Sequence, residues 1–75
     1  MIIRINDQIM INMNHVSEII KNVINEDITE ITFYNGEGLI MHNLRMETYP
    51  AERAWEELRM LSNRVYEFKT LESTV

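Results

Sequence analysis

The side chains of this chain that could do chemistry are few and far apart. His15 and His42 are its two imidazoles, and no His-x-x-x-His or Glu-x-x-His spacing links them. His42 with Asp27 or Glu47 would supply part of a zinc set, short of the three or four ligands such a site needs. There is no cysteine, hence no thiolate site, no disulfide and no thiol nucleophile. Paired carboxylates perform acid–base work only where a pocket drives their pKa values apart. Glu26-Asp27 falls in a predicted turn, and Glu52, Glu56 and Glu57 fall on the wet side of a predicted helix. No Gly-x-Ser-x-Gly elbow surrounds a serine. Gly36-Glu37-Gly38 is too short to cradle a phosphate and opens no helix. The expectation is a protein that is not an enzyme and carries no cofactor or metal. Ser73-Thr74-Val75 matches the Ser/Thr-x-hydrophobic ending that PDZ domains capture by strand addition, a short match that chance supplies often.

Composition narrows the partners. The 75 residues carry a formal charge of −5, from twelve acidic and seven basic side chains. Acid concentrates in the middle, where Glu26, Asp27, Glu30, Glu37 and Glu47 stand against Arg45 alone. A net acidic chain without a basic stripe is a poor match for a phosphate backbone, so direct nucleic-acid binding is not expected. No apolar run approaches the roughly 18 residues of a membrane span, and the N-terminal stretch lacks the form of a signal peptide. A cytoplasmic protein is expected. A core this small seldom supplies more than about 3–5 kcal/mol, and with no disulfide the most available stabiliser is self-association, a homo-oligomer such as a dimer.

The elements that would position these residues read as follows. Met1–Ile5 and Gln8–Met13 are short strands, and a three-residue loop would set Ile5 against Ile9 and Ile3 against Ile11, with all four isoleucines on one face. Residues 15–25 are ambiguous. Val16, Ile19, Ile20, Val23 and Ile24 have helical spacing and Asn14 could cap them, yet the segment is short and rich in β-branched residues. Asn35-Gly36 between Ile28–Tyr34 and Glu37–Leu44 is a strong hairpin signal and implies positive φ near Gly36. Whether the turn is Asn35-Gly36 or the four-residue Asn35–Gly38, that hairpin would place Ile31, Phe33 and Ile40 on the core face and Glu30, Thr32, Tyr34, Leu39 and Met41 on the other. Thr48 to Arg64 reads as an amphipathic helix capped by Thr48, with Pro50 in its first turn and Trp55 central to the apolar stripe. Tyr66–Val75 lacks turn chemistry and reads as a tail beyond a domain of residues 1–65.

Ile9-Met10-Ile11-Asn12, Val16-Ser17-Glu18-Ile19 and Ile28–Gly36 together resemble the FlbD family of small flagellar and swarming-motility proteins. The likeness spans roughly residues 9–41 and extends to similar small proteins of low-GC bacteria and their phages. It implies strand over helix for residues 16–23 and, on the functional side, a motility accessory role. The fold expected is α+β: an antiparallel meander of about five strands with one C-terminal helix on one face. The alternative is a ββαββα order with a helix at 15–25.

Six methionines are many for this length. Met41 is expected on the outer hairpin face, Met60 on the polar side of the helix and Met46 in a loop. Methionine is over-used at adaptable binding surfaces. The expected contact surface comprises Glu26, Asp27, Glu30, Tyr34, Glu37, Leu39, Met41 and Met60. The function that follows is a small, non-catalytic regulator or inhibitor, of the kind phages encode, that occupies a surface of a larger protein. Three other readings stand beside it: an acidic mimic of nucleic acid that blocks a nucleic-acid-binding enzyme, the motility accessory, and an oligomeric sponge for a small ligand.

Overall fold

Isoleucine placement sets the first element. In the computed structural model, which describes residues 2–4, 8–61 and 67–72, β1 (Ile2–Arg4) and β2 (Met10–Asn12) pair antiparallel with Ile3 opposite Ile11. Both isoleucines are buried, as the longer loop requires, because a one-residue slip would turn them to solvent. The Ile5–Ile9 pairing lies outside the described residues. A 3-10 turn over Met13–His15 follows. Its first amides are satisfied by Asn12 rather than Asn14, for the Asn14 N–H donates to Asn12 Oδ1 at 3.1 Å.

Residues 18–23 form a strand, β3 (Glu18–Val23), so β-branching prevails there over helical spacing. It lies between β4 (Ile28–Tyr34), antiparallel, and β6 (Glu67–Glu72), parallel; β5 (Ile40–Glu47) pairs with the far side of β4. The sheet order is β5-β4-β3-β6, and α1 (Thr48–Leu61) makes the crossover. The fold is α+β, a mixed sheet with one helix packed on it. One feature differs from the expected meander: the stretch read as a tail contributes the parallel strand β6. The described helix runs to Leu61, and the rest of its expected span, residues 62–64, lies outside the described residues.

Alternation along the strands selects the buried face. Ile19, Ile31, Phe33 and Leu44 point to the helix side and meet Ala51, Trp55 and Leu58 there, with Ile3, Ile11, Met13 and Val16 from the N-terminal hairpin completing the core. Trp55 is only 3 % exposed. Thr29, on the same face, is fully buried, and its hydroxyl lies 3.0 Å from that of Thr48. That bond gives Thr48 a role other than the expected helix cap: its side chain ties the start of α1 to the sheet.

Lys21 occupies a core-facing position and is buried. Its ammonium donates to both carboxylate oxygens of Glu52, at 2.9 and 2.8 Å, and sits 5.5 Å from the centre of the Trp55 ring. Glu52, expected on the wet side of the helix, is thus a sheet–helix clamp. Breaking such a pair from either side leaves a charge without its partner, but loss of Glu52 strands the buried Lys21 ammonium, whereas loss of Lys21 strands a carboxylate that is 43 % exposed and open to water. Glu52→Ala is expected to cost about 1–2 kcal/mol, discounted because the Glu52 side chain is 43 % exposed, and Lys21→Met less than about 1 kcal/mol. Urea titrations of the two variants check this; a larger loss for Lys21→Met would mean the lysine acts through more than this pair.

The β4–β5 turn is not the type I′ turn that Asn-Gly implies. The Gly38 N–H donates to the Asn35 carbonyl at 3.1 Å, and the Asn35 side chain accepts from the amides of Glu37 and Leu39 at 2.9 and 3.0 Å. Among the described residues the positive φ falls at Gly38, +80°, and not at Gly36. Pairing then changes register between Phe33, opposite His42, and Tyr34, opposite Ile40, which makes Met41 the extra residue of a bulge. The bulge exchanges two expected positions. Ile40 faces solvent at 62 % exposure, while Met41 is half-buried against the core. Met46, expected in a loop, is a half-buried residue of β5 that packs on the same core.

Candidate partner-binding surface

One face of the four-stranded sheet carries the helix, and the residues that alternate with the core ones build the other. Register aligns Glu18, Tyr34 and Ile40 in one row, Lys69, Ile20, Thr32 and Asn43 in the next, and Leu71, Asn22, Glu30 and Arg45 in a third. Polar side chains on it are cross-linked between strands. Lys69 meets Glu18 at 2.9 Å, Arg45 approaches Glu30 to 3.8 Å, and the Asn43 amide donates to Glu30 at 3.2 Å and to Thr32 at 2.8 Å. These contacts tie neighbouring strands together and set a cation beside two of the face's carboxylates.

Tyr34 and Ile40 share the row at the turn end of the face, Tyr34 half-buried and Ile40 62 % exposed. Leu39, 59 % exposed, and Glu37, also exposed, lie in the adjoining turn. Ile40 takes the place that Met41 was expected to fill. The sequence signal that would have found it is the pair of glycines, 36 and 38, since a turn using the second one is long enough to leave room for a bulge.

The other expected contact residues lie elsewhere. Glu26 and Asp27 are exposed in the β3–β4 turn, at the opposite end of β4, about 20 Å away at the usual rise per strand residue. There the Asn25 side chain accepts from the amides of Asp27 and Ile28, both at 2.8 Å. With Ile28, Glu47, Thr48 and Tyr49 they line an open hollow of about 460 Å³. Met60 is exposed on α1, the element that covers the opposite face. Glu30 sits mid-face between the two ends. The eight residues therefore form no single patch: Tyr34 is at the turn end of the face with Glu37 and Leu39 in the adjoining turn, and the rest lie elsewhere.

His15 is exposed in the 3-10 turn, and His42 is half-buried opposite Phe33. Among the described residues no three His, Asp or Glu side chains converge to hold a metal ion. No helix among them is long and apolar enough to cross a membrane. The Ser73-Thr74-Val75 ending lies outside the described residues. No protein family, curated protein or solved structure matches the chain.

Proposed function

We propose that this protein is a non-catalytic interaction module that docks the turn end of its open sheet face, Tyr34, Glu37, Leu39 and Ile40, on a larger protein. The observation that supports it is largely exposed Ile40 in register with the Tyr34 ring on a sheet face that the helix leaves open, with exposed Leu39 next to it in the turn. Interfaces draw most of their energy from a few such anchors, with tyrosine prominent among them. A small regulator or inhibitor, acting by occupying its partner's surface, needs no more than this.

Mimicry of nucleic acid has less support. Glu18 and Glu30, which alternation places on this face, are each beside a cation, and the remaining acidic turns lie at opposite ends of the sheet. A photo-crosslinking residue at position 39, incorporated in the producing cells, tests the proposal. The expected result is a discrete adduct with one protein that persists at high salt and disappears with Tyr34→Ala. Adducts that vanish on raising ionic strength would favour charge mimicry, because exposed charges are screened and apolar contacts are not. Unchanged adduct formation by Tyr34→Ala would remove this surface from the proposal.

A further inference from the structure

Among the described residues no strand pairs with the outer edge of β5, and the hydrogen-bonding phase of that edge can be fixed. The Thr48 N–H donates to the Asp27 carbonyl at 2.8 Å, and the register continues from that pair through Thr29–Met46 and Ile31–Leu44. In an antiparallel ladder, pairs that exchange backbone bonds alternate with pairs that do not. The backbone groups of Asn43, Arg45 and Glu47 therefore point away from β4, toward the open edge. The β3 side agrees: the Ile24 N–H donates to the Ile28 carbonyl and the Ser17 N–H to the Tyr34 carbonyl, as β4 residues of the alternate set should allow.

We infer that this edge pairs with the β5 edge of a second copy of the chain, antiparallel about a two-fold axis at Leu44. The inference goes beyond the partner reading and uses a different surface. Symmetry restricts the registers to those with a single residue on the axis. Arg45 there would set like charges face to face. Asn43 there would set Arg45, a bonding residue, against the bulge at Met41, which the Leu44 register meets only with Glu47 at the end of the strand, and Met46 there would run the pairing into α1 at Thr48. With Leu44 on the axis, Asn43 of each copy faces Arg45 of the other, and these two pairs can exchange four backbone hydrogen bonds. On the inner face His42 then meets Met46, both half-buried in one copy, and continues the core across the seam.

The outer faces of both copies lie on the same side of the joined sheet, because the axis runs perpendicular to it. An edge contact of this length buries less than the about 800 Å² per partner of a standard interface, so micromolar affinity is expected.

Sedimentation velocity from micromolar to about 0.1 mM, spanning the affinity expected of so small an interface, tests this. The expected species is twice the 9.0 kDa monomer. Arg45→Pro removes an amide that points to the edge and none that bonds β4, so it is expected to return the protein to monomer with its circular dichroism intact. Register is read separately, since the chain has no cysteine. Asn43→Cys mixed with Arg45→Cys should form the mixed disulfide in preference to either symmetric one, because bonded antiparallel pairs hold their Cα atoms about 5.5 Å apart, within disulfide range. A monomer throughout the concentration range, or symmetric disulfides dominating, would overturn the inference. Loss of the dimer in Arg45→Pro with retained crosslinking at position 39 would separate this contact from the partner surface.

Discussion

Trp55→Ala is expected to cost about 3–5 kcal/mol, the range for truncating a buried tryptophan. The residue is 3 % exposed and touches both halves of the fold, as the centre of the helix stripe and as the ring beneath the Lys21 ammonium. A small core seldom supplies more than about that amount in total, so the variant should be largely unfolded in water. Far-UV circular dichroism against urea, beside Trp55→Phe as the milder change, measures it. A loss under about 1 kcal/mol would mean that the helix does not hold its position through this side chain.

The second large effect is backbone strain. Gly38→Val should cost about 1–3 kcal/mol, since a β-branched residue at φ +80° is held where L side chains rarely go. Nothing lies within 4 Å of the Cβ it would gain, so the penalty is conformational and not a clash. Gly36→Ala differs in kind. Its Cβ would come to 3.3 Å from Ser17 Oγ, an exposed side chain that can rotate away, and its φ is not positive. The smaller loss is therefore expected at position 36. If the two variants melted together, the turn in solution would be the two-residue Asn-Gly form.

These two glycines show what was legible and what was not. The hairpin itself was written in Asn35-Gly36, but the turn type was decided by competition: the Asn35 side chain can satisfy two amides at once only if the loop extends to Gly38. That choice of loop, followed by the bulge at Met41, moved Ile40 out and Met41 in. Alternation has no memory of an inserted residue, so no reading of period 2 alone could assign those side chains. The N-terminal register was easier, because four isoleucines left one pairing that buries them together. For residues 18–23, β-branching was the better guide, and period the worse. Glu67–Glu72 carried little signal, for a parallel edge strand needs no adjacent turn and its sequence is mostly polar. Of the contact residues, the group around Tyr34 was legible as an apolar outlier on a mixed face. Glu26, Asp27 and Met60 were chosen by residue type, which says nothing of distance.

The parallel pairing of β6 also orders events in time. Each β3–β6 pair joins residues 49 positions apart, as Glu18 with Glu67 and Val23 with Glu72, while the β3–β4 hairpin closes over 6 at Val23–Thr29. Closing the longer loop costs more entropy and is repaid only after β4, β5 and α1 have laid out the path between. β6 is thus expected to arrive last during folding and to leave first when the protein opens. In that interval β3 has a bare edge running beside Ile19 and Ile20, a short apolar template for any extended chain nearby. Aggregation of this protein should then follow the rate of that partial opening and not the rate of complete unfolding.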